Sequence, residues 1–290
     1  MTDHTTSRRA VLTGGIATLA AGAAAANSLN PQPAPTEANP NGRFRGKVIA
    51  VTGGNSGIGA ATVRAFAMEG GQVIFGARRD ALGRAVEADI RAMGGDVTWV
   101  QTDVRDPAQV ERFVTAATQT YDRLDVLFNN AGIFMTPALI EDIDLENFAD
   151  VMQTNVNGVF YGMKYAVPVM KAQGGGVIVN MASVAAHRGF ANTAHYSASK
   201  HAVLGLTRAG AHMAKDNIRV ASISPLAVDT PMLEESFDYQ GLTYDGMADF
   251  FVTPRIMQPH EMAEAVLFLA SDAATAFNGM DFDATGGQLA

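Results

Sequence analysis

The chain of 290 residues is long enough for one large α/β domain, and its 48% hydrophobic and 17% charged residues indicate a buried core. The formal net charge of -8, with no basic stripe after Arg45, argues against a nucleic-acid-binding surface, because such surfaces cluster Lys and Arg. The absence of cysteine excludes disulfides, thiol nucleophiles and zinc sites with Cys ligands.

Residues 1–26 have the pattern of a twin-arginine export signal. Arg8 and Arg9 precede an uncharged Gly/Ala-rich run from Thr13 to Ala26. That run is too short and too weakly hydrophobic for a stable membrane span, and the small residues at its end suit a signal peptidase. We therefore expect cleavage near Ala26 and a periplasmic location, with a disordered cytoplasmic tail as the alternative.

A linker and then one folded domain are predicted after the signal. Residues 27–44 contain Pro31, Pro33, Pro35 and Pro40, a composition typical of linkers. The domain is then 45–290.

From Lys47 onward, short β-branched runs alternate with stretches of helical composition. This is the sequence form of repeated βαβ units, and it predicts a single doubly wound parallel sheet of about seven strands with helices on both faces. The predicted strands are Val48–Thr52, Gln72–Ala77, Val97–Thr102, Val126–Asn129, Gly176–Met181, Arg219–Ser224 and Met280–Asp283.

Three longer segments between strands have their own predicted form. One helix is predicted from Leu145 to Lys171, kinked or ended by Pro168, and another from about Ala194 to Lys215. The segment from Ala227 to Pro259 combines Gly, Pro and polar residues with aromatics of exposed character. It predicts a mobile lid rather than a sheet element. These aromatics are Phe237, Tyr239 and Phe250.

A glycine-rich turn directly follows the first predicted strand. The strand leads into Thr52-Gly53-Gly54-Asn55-Ser56-Gly57-Ile58-Gly59, and the following residues have helical composition. Glycines permit the tight turn and let the backbone approach phosphates, while the free amides and positive dipole end of the helix attract an anion. Strand, turn and helix together predict a Rossmann-type dinucleotide site, with a plain structural turn as the alternative.

The spacing Thr-Gly-x-x-x-Gly-x-Gly resembles the opening motif of the classical short-chain dehydrogenases/reductases, and the resemblance covers nearly all of 46–290. It implies NAD(P)-dependent hydride transfer between an alcohol and a carbonyl compound. It also implies cofactor contacts for Gly53, Asn55, Ser56, Gly57, Ile58, Gly59, Asp103, Val104, Asn130, Ala131, Gly132, Tyr196, Lys200, Pro225, Val228 and Thr230.

Two of these short motifs have an equally simple structural explanation. By the resemblance, Asp103 approaches the adenine ring and residues 129–132 end the fourth strand beside the cofactor. Asp103 can instead cap the helix that begins near Pro107, and Asn129 can be a buried polar group bonded to backbone.

Cofactor preference depends on the end of the second strand, where a carboxylate bonds the ribose of NAD and a basic residue binds the phosphate of NADP. Arg78 and Arg79 follow Ala77 there, and Asp80 is expected to begin the next helix. NADP(H) is therefore predicted, with Arg78 as the phosphate ligand. NAD(H) with solvated arginines is the alternative, because Ser56 stands where some NADP enzymes of the family carry a basic residue.

Tyr196 and Lys200 are four residues apart in a predicted helix, so both side chains share one face. A nearby ammonium lowers the pKa of a tyrosine from about 10 toward neutral pH, which lets Tyr196 act as general acid and base. By itself, such a pair is more often a surface contact between two helical side chains. The other residues of the family's catalytic set, Ser183 and Asn155, favour a catalytic role for the pair.

Two further residues complete a predicted catalytic set. Ser183 lies thirteen residues before Tyr196, the spacing of the family's catalytic serine, and its hydroxyl would bond the substrate oxygen. By the resemblance, Asn155 positions water in a proton relay that ends at Lys200, and Lys200 also bonds the nicotinamide ribose. An isolated helical Asn is otherwise usually structural.

Other chemistries find little support in the sequence. Ser183 lacks the setting of a hydrolase nucleophile, and the six histidines show no metal-ligand spacing, so no metal is predicted. His187 and His195 either touch substrate or are exposed loop residues. Leu226 stands where many family members have Gly, so cofactor binding is expected with an altered loop shape. Thr230 keeps the hydroxyl expected to bond the carboxamide.

The main hypothesis is hydride transfer between NADP(H) and a small alcohol or carbonyl substrate. One alternative is a sensor or scaffold that binds cofactor without turnover. Another is a redox-neutral enzyme that retains NADP, because a periplasm offers no ordinary pool of it. By the resemblance, a homo-oligomer, tetramer or dimer, is predicted through the helices at 145–171 and 194–215, whose apolar faces can equally be sheet-facing core.

Overall fold

The structure is a computed structural model that describes residues 35–241 and 243–290. The predicted export signal and residues 27–34 of the predicted linker lie outside the described residues, so both stay predictions. In the part of the chain that the structure describes, no helix has the length and apolar character needed to cross a membrane.

The described strands form one parallel sheet of seven strands in the order β3-β2-β1-β4-β5-β6-β7. They are β1 (Val48–Thr52), β2 (Gln72–Ala77), β3 (Asp96–Gln101), β4 (Val126–Asn129), β5 (Gly176–Met181), β6 (Ile218–Pro225) and β7 (Asp281–Ala284). The predicted α/β class with a doubly wound parallel sheet is confirmed. The bounds of β3, β6 and β7 differ from the predicted ones by one residue at each end.

Helices cover both faces of this sheet. They are α1 (Gly57–Met68), α2 (Asp80–Ala92), α3 (Pro107–Tyr121), α4 (Leu145–Met152), α5 (Gly158–Ala172), α6 (Ala194–Gly210), α7 (Pro231–Gln240), α8 (Tyr244–Ala248) and α9 (Pro259–Ala270). One core lies between the sheet and α1, α2 and α9, and the other between the sheet and α3, α5 and α6.

The two cores arise from the alternation of side chains along each strand. In β1, Ile49 and Val51 belong to the first core, which includes Phe66 of α1. Val48 and Ala50 belong to the second. All residues of β1 are buried, which explains its continuous apolar run and gives the carboxyl ends of the strands a rigid support.

The long helix predicted from Leu145 to Lys171 is interrupted. Between α4 and α5 the chain forms a π-helical turn at Gln153–Asn157. Pro168 lies inside α5, which continues to Ala172, so the prediction that Pro168 ends the regular helix is wrong. Single π turns often mark functional positions, and this one carries Asn155.

The helix predicted from Ala194 to Lys215 is α6 followed by a 3-10 turn at Ala211–Asp216. The segment predicted as a lid contains α7 and α8 rather than a regular strand. An isolated parallel bridge between Val228 and Met257 closes its base. Phe237, predicted to be exposed, is only 5% exposed, because its ring packs edge-on against Tyr244 at 5.2 Å. Tyr239 and Phe250 are exposed.

Part of the predicted linker lies against the domain. The Ala38 amide donates to the Met93 carbonyl at 3.2 Å, and Phe44 is 3% exposed with its ring edge-on to Phe66 at 4.7 Å. Arg43 pairs with Glu69 at 3.0 Å. Residues from Ala38 onward therefore contact the folded domain, although their proline content suggests a linker.

Candidate active site

A cleft of about 840 Å³ lies at the carboxyl ends of the central strands, the edge where open parallel sheets bind ligands. Its walls include every residue for which a cofactor contact is predicted. These are Gly53, Asn55, Ser56, Gly57, Ile58, Gly59, Arg78, Asp103, Val104, Asn130, Ala131, Gly132, Tyr196, Lys200, Pro225, Val228 and Thr230. Ser183 also lines the cleft, whereas Asn155 lies behind its wall.

The glycine turn between β1 and α1 is packed closely enough to form a phosphate cradle. Gly53 has a φ of 69°, and its amide donates to the Gly76 carbonyl at 2.7 Å. A Cβ on Gly59 would overlap the Gly53 carbonyl oxygen and lie 2.5 Å from Asn130 Nδ2. Ser56 begins α1 without a side-chain cap, which leaves the first amides of the helix available to an anion. These residues fit a dinucleotide pyrophosphate.

Asn130 fixes the turn from the other side. Its Nδ2 donates to the Thr52 carbonyl at 3.0 Å, and its own amide and that of Ala131 donate to Thr52 Oγ1 at 3.0 and 3.1 Å. The side chain is therefore used inside the protein, and its predicted cofactor contact rests on the backbone.

Asn129 is an interior polar group. It is 2% exposed, and its Nδ2 donates to Asn180 Oδ1 at 2.9 Å. Asn180 in turn donates to Thr207 Oγ1 at 3.0 Å. Of the two explanations for Asn129, the structure therefore shows the buried polar group, bonded to a side chain rather than to backbone.

Asp103 does not cap α3. Asp106 does so by accepting from the Ala108 amide at 2.9 Å. Asp103 instead pairs with Arg105 at 2.8 Å at the cleft wall. Burial acts to raise the pKa of Asp103, but the hydrogen bonds from Arg105 outweigh it and hold the pKa below its usual value.

The end of β2 presents two arginines to the cleft. Arg79 Nη2 donates to Ser56 Oγ at 2.9 Å, and the exposed Arg78 side chain lies beside it. Asp80 begins α2 as predicted, and its carboxylate accepts from Trp99 Nε1 and from Arg84 Nε, each at 2.9 Å. That carboxylate is therefore held by partners of its own.

The catalytic candidates Ser183, Tyr196 and Lys200 meet in the cleft. Ser183 follows β5, and its Oγ accepts from the Ala185 amide at 3.1 Å. Lys200 is 4% exposed, and its Nζ donates to the Met181 carbonyl at 2.9 Å and lies 5.6 Å from the centre of the Tyr196 ring. The helical spacing of α6 and the end of β5 thus bring the predicted trio together.

Burial changes the proton affinities of this pair. It raises the pKa of Tyr196, while a hydrogen bond with Ser183 acts in the opposite direction. Burial also lowers the pKa of Lys200 to about 8. The prediction of a lowered pKa for Tyr196 is wrong, because the loss of solvation of the phenolate outweighs the hydrogen bond with Ser183.

Asn155 connects two elements of the site. It is 1% exposed; its Oδ1 accepts from the Ile133 amide at 2.8 Å, and its Nδ2 donates to the Ile133 carbonyl at 3.0 Å and to Ser199 Oγ at 3.1 Å. Both amide protons are therefore used. The π turn directs Asn155 inward to this position, and its part in a water relay stays a prediction.

Neither histidine singled out by the sequence lines the cleft. His195 is fully buried rather than exposed, and burial lowers its pKa. His187 Nε2 lies 2.7 Å from Asp281 Oδ2, and neither residue lines the cleft. Among the described residues, no cluster of three or more His, Asp or Glu side chains is arranged to hold a metal ion.

Leu226 is accommodated without strain. Positive φ values among the described non-glycine residues occur elsewhere, at Asp122, Asn192 and Asn217, so the turn after Pro225 does not need a glycine. Thr230 follows, caps α7 by accepting from the Leu233 amide at 3.3 Å, and lies over Gly57 of the glycine turn.

Sequence reasoning missed the apolar end of the cleft. Its walls beyond the catalytic trio are Phe134, Phe190, Met232, Met247, Phe250 and Phe251, with Arg188 and Glu235 among them. The Phe134 ring lies edge-on to Tyr196 at 5.1 Å. These side chains come from three separate segments, and only the aromatics of the lid segment were a signal in the sequence.

Comparison with known proteins identifies relatives over most of the chain. A family model described as enoyl-(acyl carrier protein) reductase matches residues 53–288. Levodione reductase of Leifsonia aquatica is 36% identical over 263 residues, covering 87% of this chain and 97% of the relative. Cyclohexanol dehydrogenase of Acinetobacter sp. (strain SE19) is 35% identical over 241 residues, covering 83% and 94%.

Solved structures show the same architecture. The crystal structure of levodione reductase has a TM-score of 0.82 at 35% identity and covers 85% of this chain and 98% of its own. Actinorhodin polyketide ketoreductase with NADPH has a TM-score of 0.80 at 32% identity, with coverages of 87% and 98%. A 3-ketoacyl-(acyl-carrier-protein) reductase from Brucella melitensis with NADH has a TM-score of 0.77 at 32% identity, with coverages of 84% and 98%.

Proposed function

Because the chain belongs to the short-chain dehydrogenase/reductase family and is an NAD(P)-dependent oxidoreductase, we propose that it interconverts an apolar, ring-containing alcohol and its ketone with NADP(H). The observation that carries this proposal is that Ser183, Tyr196 and Lys200 share one cleft with the glycine turn. A cofactor-binding sensor would not need these three groups together.

The cofactor would lie along the cleft from Arg78 to Lys200. The amides at the start of α1 and the Gly53 turn would hold the pyrophosphate, and Thr230 and Pro225 would flank the nicotinamide. The bound nicotinamide supplies or accepts the hydride.

Tyr196 transfers the proton. During ketone reduction its hydroxyl donates the proton to the substrate oxygen, while the Ser183 hydroxyl donates a hydrogen bond to the same oxygen as negative charge develops there. The ammonium of Lys200 stabilises the phenolate that remains, because it lies 5.6 Å from the ring centre in a buried setting. The Phe134 ring packs edge-on against the Tyr196 ring at 5.1 Å.

NADP rather than NAD is supported by the adenosine end. Arg78 and Arg79 follow β2, and the next carboxylate along the chain, Asp80, is held by Trp99 and Arg84. Replacement of Arg78 by Ala should weaken NADPH binding about tenfold, the typical loss of one charge-assisted hydrogen bond, and leave NADH binding unchanged. Fluorescence titration measures both. An equal loss for the two nucleotides would contradict the preference.

An apolar ring is supported by the far end of the cleft, where Phe134, Phe190 and Phe251 lie beyond Tyr196. Aromatic side chains of this kind favour a flat hydrocarbon skeleton. Relatives named for levodione and cyclohexanol agree with this class.

The function is tested with cyclohexanol and NADP⁺. We expect NADPH and cyclohexanone to form in equal amounts. Absorbance measures the NADPH, and gas chromatography measures the cyclohexanone. Cyclohexanol is the probe, and other cyclic alcohols extend the test. Tight NADPH binding without turnover of any cyclic alcohol or ketone would favour the sensor or scaffold instead.

Export and retained cofactor form a second proposal, supported by the sequence pattern at Arg8 and Arg9. Twin-arginine transport carries folded proteins, so NADP bound before export would travel with the enzyme. It would then alternate between two substrates in a redox-neutral cycle. Replacement of both arginines by Lys should abolish export. Mass analysis of the exported protein should detect NADP, and its absence would contradict retention.

A homo-oligomer, dimer or tetramer, is also proposed. Leu145 is 83% exposed, Phe148 41% and Phe160 48%, so apolar side chains face outward on α4 and α5. Light scattering should show more than one copy, and Leu145→Asp should reduce the mass. A wild-type monomer would contradict the proposal.

A further inference from the structure

His187 and Asp281 form a polar cluster outside the cleft. His187 Nε2 lies 2.7 Å from Asp281 Oδ2, and the other oxygen of Asp281 accepts from Ser222 Oγ at 2.6 Å. Ser224 Oγ lies 3.4 Å from the same His187 nitrogen. The cluster therefore connects β6, β7 and the segment that follows β5.

Asp281 depends on these partners. Its side chain is 9% exposed, and the register of β7 places it opposite Ser222. A carboxylate so far removed from water needs its hydrogen bonds, because an unpaired buried charge is costly. A His187 ring that carries a proton on Nε2 can donate this hydrogen bond to Asp281.

His187 begins the segment 187–193, which forms one wall of the apolar end of the cleft. Arg188 and Phe190 line the cleft, and the Arg188 guanidinium lies 5.0 Å from the centre of the Phe190 ring. The other end of the segment is held where the Ala138 amide donates to the Asn192 carbonyl at 2.8 Å. The contact of His187 with Asp281 fixes the start of segment 187–193.

We propose that His187 is a positioning residue whose bond to Asp281 anchors segment 187–193, so that Arg188 and Phe190 face the substrate. What this wall contacts rests on the proposed function. The anchor itself rests on the distances alone. Ser183 lies four residues before His187 and is held separately by the Ala185 amide, so the anchor acts on substrate binding rather than on the reacting oxygen.

The test uses the full-length protein and three variants, with NADPH bound for hydrogen exchange and NADP⁺ as co-substrate for the oxidation of cyclohexanol. His187→Ala removes the anchor, and His187→Gln keeps an N–H donor for Asp281. His212→Ala is the matched control, because His212 is exposed and lies on the 3-10 turn after α6. Amide hydrogen exchange over 188–192 is measured by mass spectrometry, together with NADPH affinity and with KM and kcat for cyclohexanol.

We expect His187→Ala to speed exchange over 188–192 about tenfold and to raise KM about tenfold, as for loss of one hydrogen bond to a charged group. NADPH affinity and kcat should change less than twofold. His187→Gln should restore most of both effects, and His212→Ala should match the wild type.

Unchanged exchange over 188–192 in His187→Ala would overturn the anchor. Faster exchange that spreads equally over α6 and weakens NADPH binding would also overturn it, since that result shows a general loss of stability. Should the wild type fail to oxidise cyclohexanol, the proposed substrate class is wrong, and the exchange data still decide the anchor.

Discussion

Replacement of Gly59 by Ala should damage the cofactor site directly. A Cβ at this position would overlap the Gly53 carbonyl oxygen and approach Asn130 Nδ2 to 2.5 Å. Neither group can rotate away, because the Gly53 amide is bonded to the Gly76 carbonyl at 2.7 Å and Asn130 to the Thr52 carbonyl at 3.0 Å. The glycine turn itself must therefore move.

The size of the effect follows from this lack of freedom. Overpacking typically costs about 1–3 kcal/mol, and contact with fixed backbone places Gly59→Ala near the upper limit. If that cost falls on the bound state, NADPH affinity drops about a hundredfold. If it falls on the fold, the free energy of unfolding drops by about the same 3 kcal/mol.

Gly205→Ala is the matched control, because a Cβ there has no neighbour within 4 Å. It lies inside α6, so the change should stabilise the protein by about 0.5–1 kcal/mol and leave NADPH affinity unchanged. Fluorescence titration and urea unfolding measure both quantities for each variant. A Gly59→Ala protein that matched the wild type in both quantities would contradict the close packing of Gly59 against Gly53 and Asn130.

Two other substitutions test the hydrogen bonds of Asn155 and the burial of Lys200. Asn155→Ala removes the hydrogen bonds to Ile133 and Ser199 and should lower the free energy of unfolding by about 2–3 kcal/mol. Urea unfolding measures this change. An unchanged urea midpoint would show that these hydrogen bonds do not stabilise the fold. Burial lowers the pKa of Lys200 from 10.5 to about 8. Between these two pH values the unfolded state binds more protons than the folded state, so the free energy of unfolding rises as the pH is raised through this range. Lys200→Met should remove this slope in unfolding measurements from pH 7 to 10; an unaltered slope would show that Lys200 keeps an ordinary pKa.

Much of the sheet could be predicted because its signals are local. The run Val48–Thr52 lies between Lys47 and a glycine turn, so both ends of β1 are marked in the sequence. Glycine pairs also lie near the ends of β3 and β7, but Asp96 and Ala284 are residue types that are depleted in strands, so both were predicted to lie outside them. The ends of a strand are predicted well where the terminal residues are themselves typical of strands.

Features that depend on distant partners were missed. The π turn at Gln153–Asn157 places Asn155 against Ile133 and Ser199, which are 22 and 44 residues away. The partner of His187 is 94 residues distant. No local spacing indicates such pairs.

Composition misled in two segments that contain proline. Phe44 lies among residues of linker composition, yet it is buried against Phe66. In the lid segment, Thr230 and Pro231 are good helix-start residues, and α7 begins there, although Gly and Pro nearby suggested a loop. In this segment the two residues that favour a helix start predict the structure better than its average composition does.

The central claim is that Tyr196 moves the proton in an NADP(H)-dependent reaction. Single-turnover oxidation of enzyme-bound NADPH by cyclohexanone tests it in Tyr196→Phe, with Tyr121→Phe as control, because the Tyr121 hydroxyl donates to Asp96 at 2.7 Å outside the cleft. The account predicts that Tyr196→Phe binds NADPH normally and reacts about 10²–10⁴-fold more slowly, while Tyr121→Phe keeps the wild-type rate. Undiminished reduction by Tyr196→Phe would contradict it.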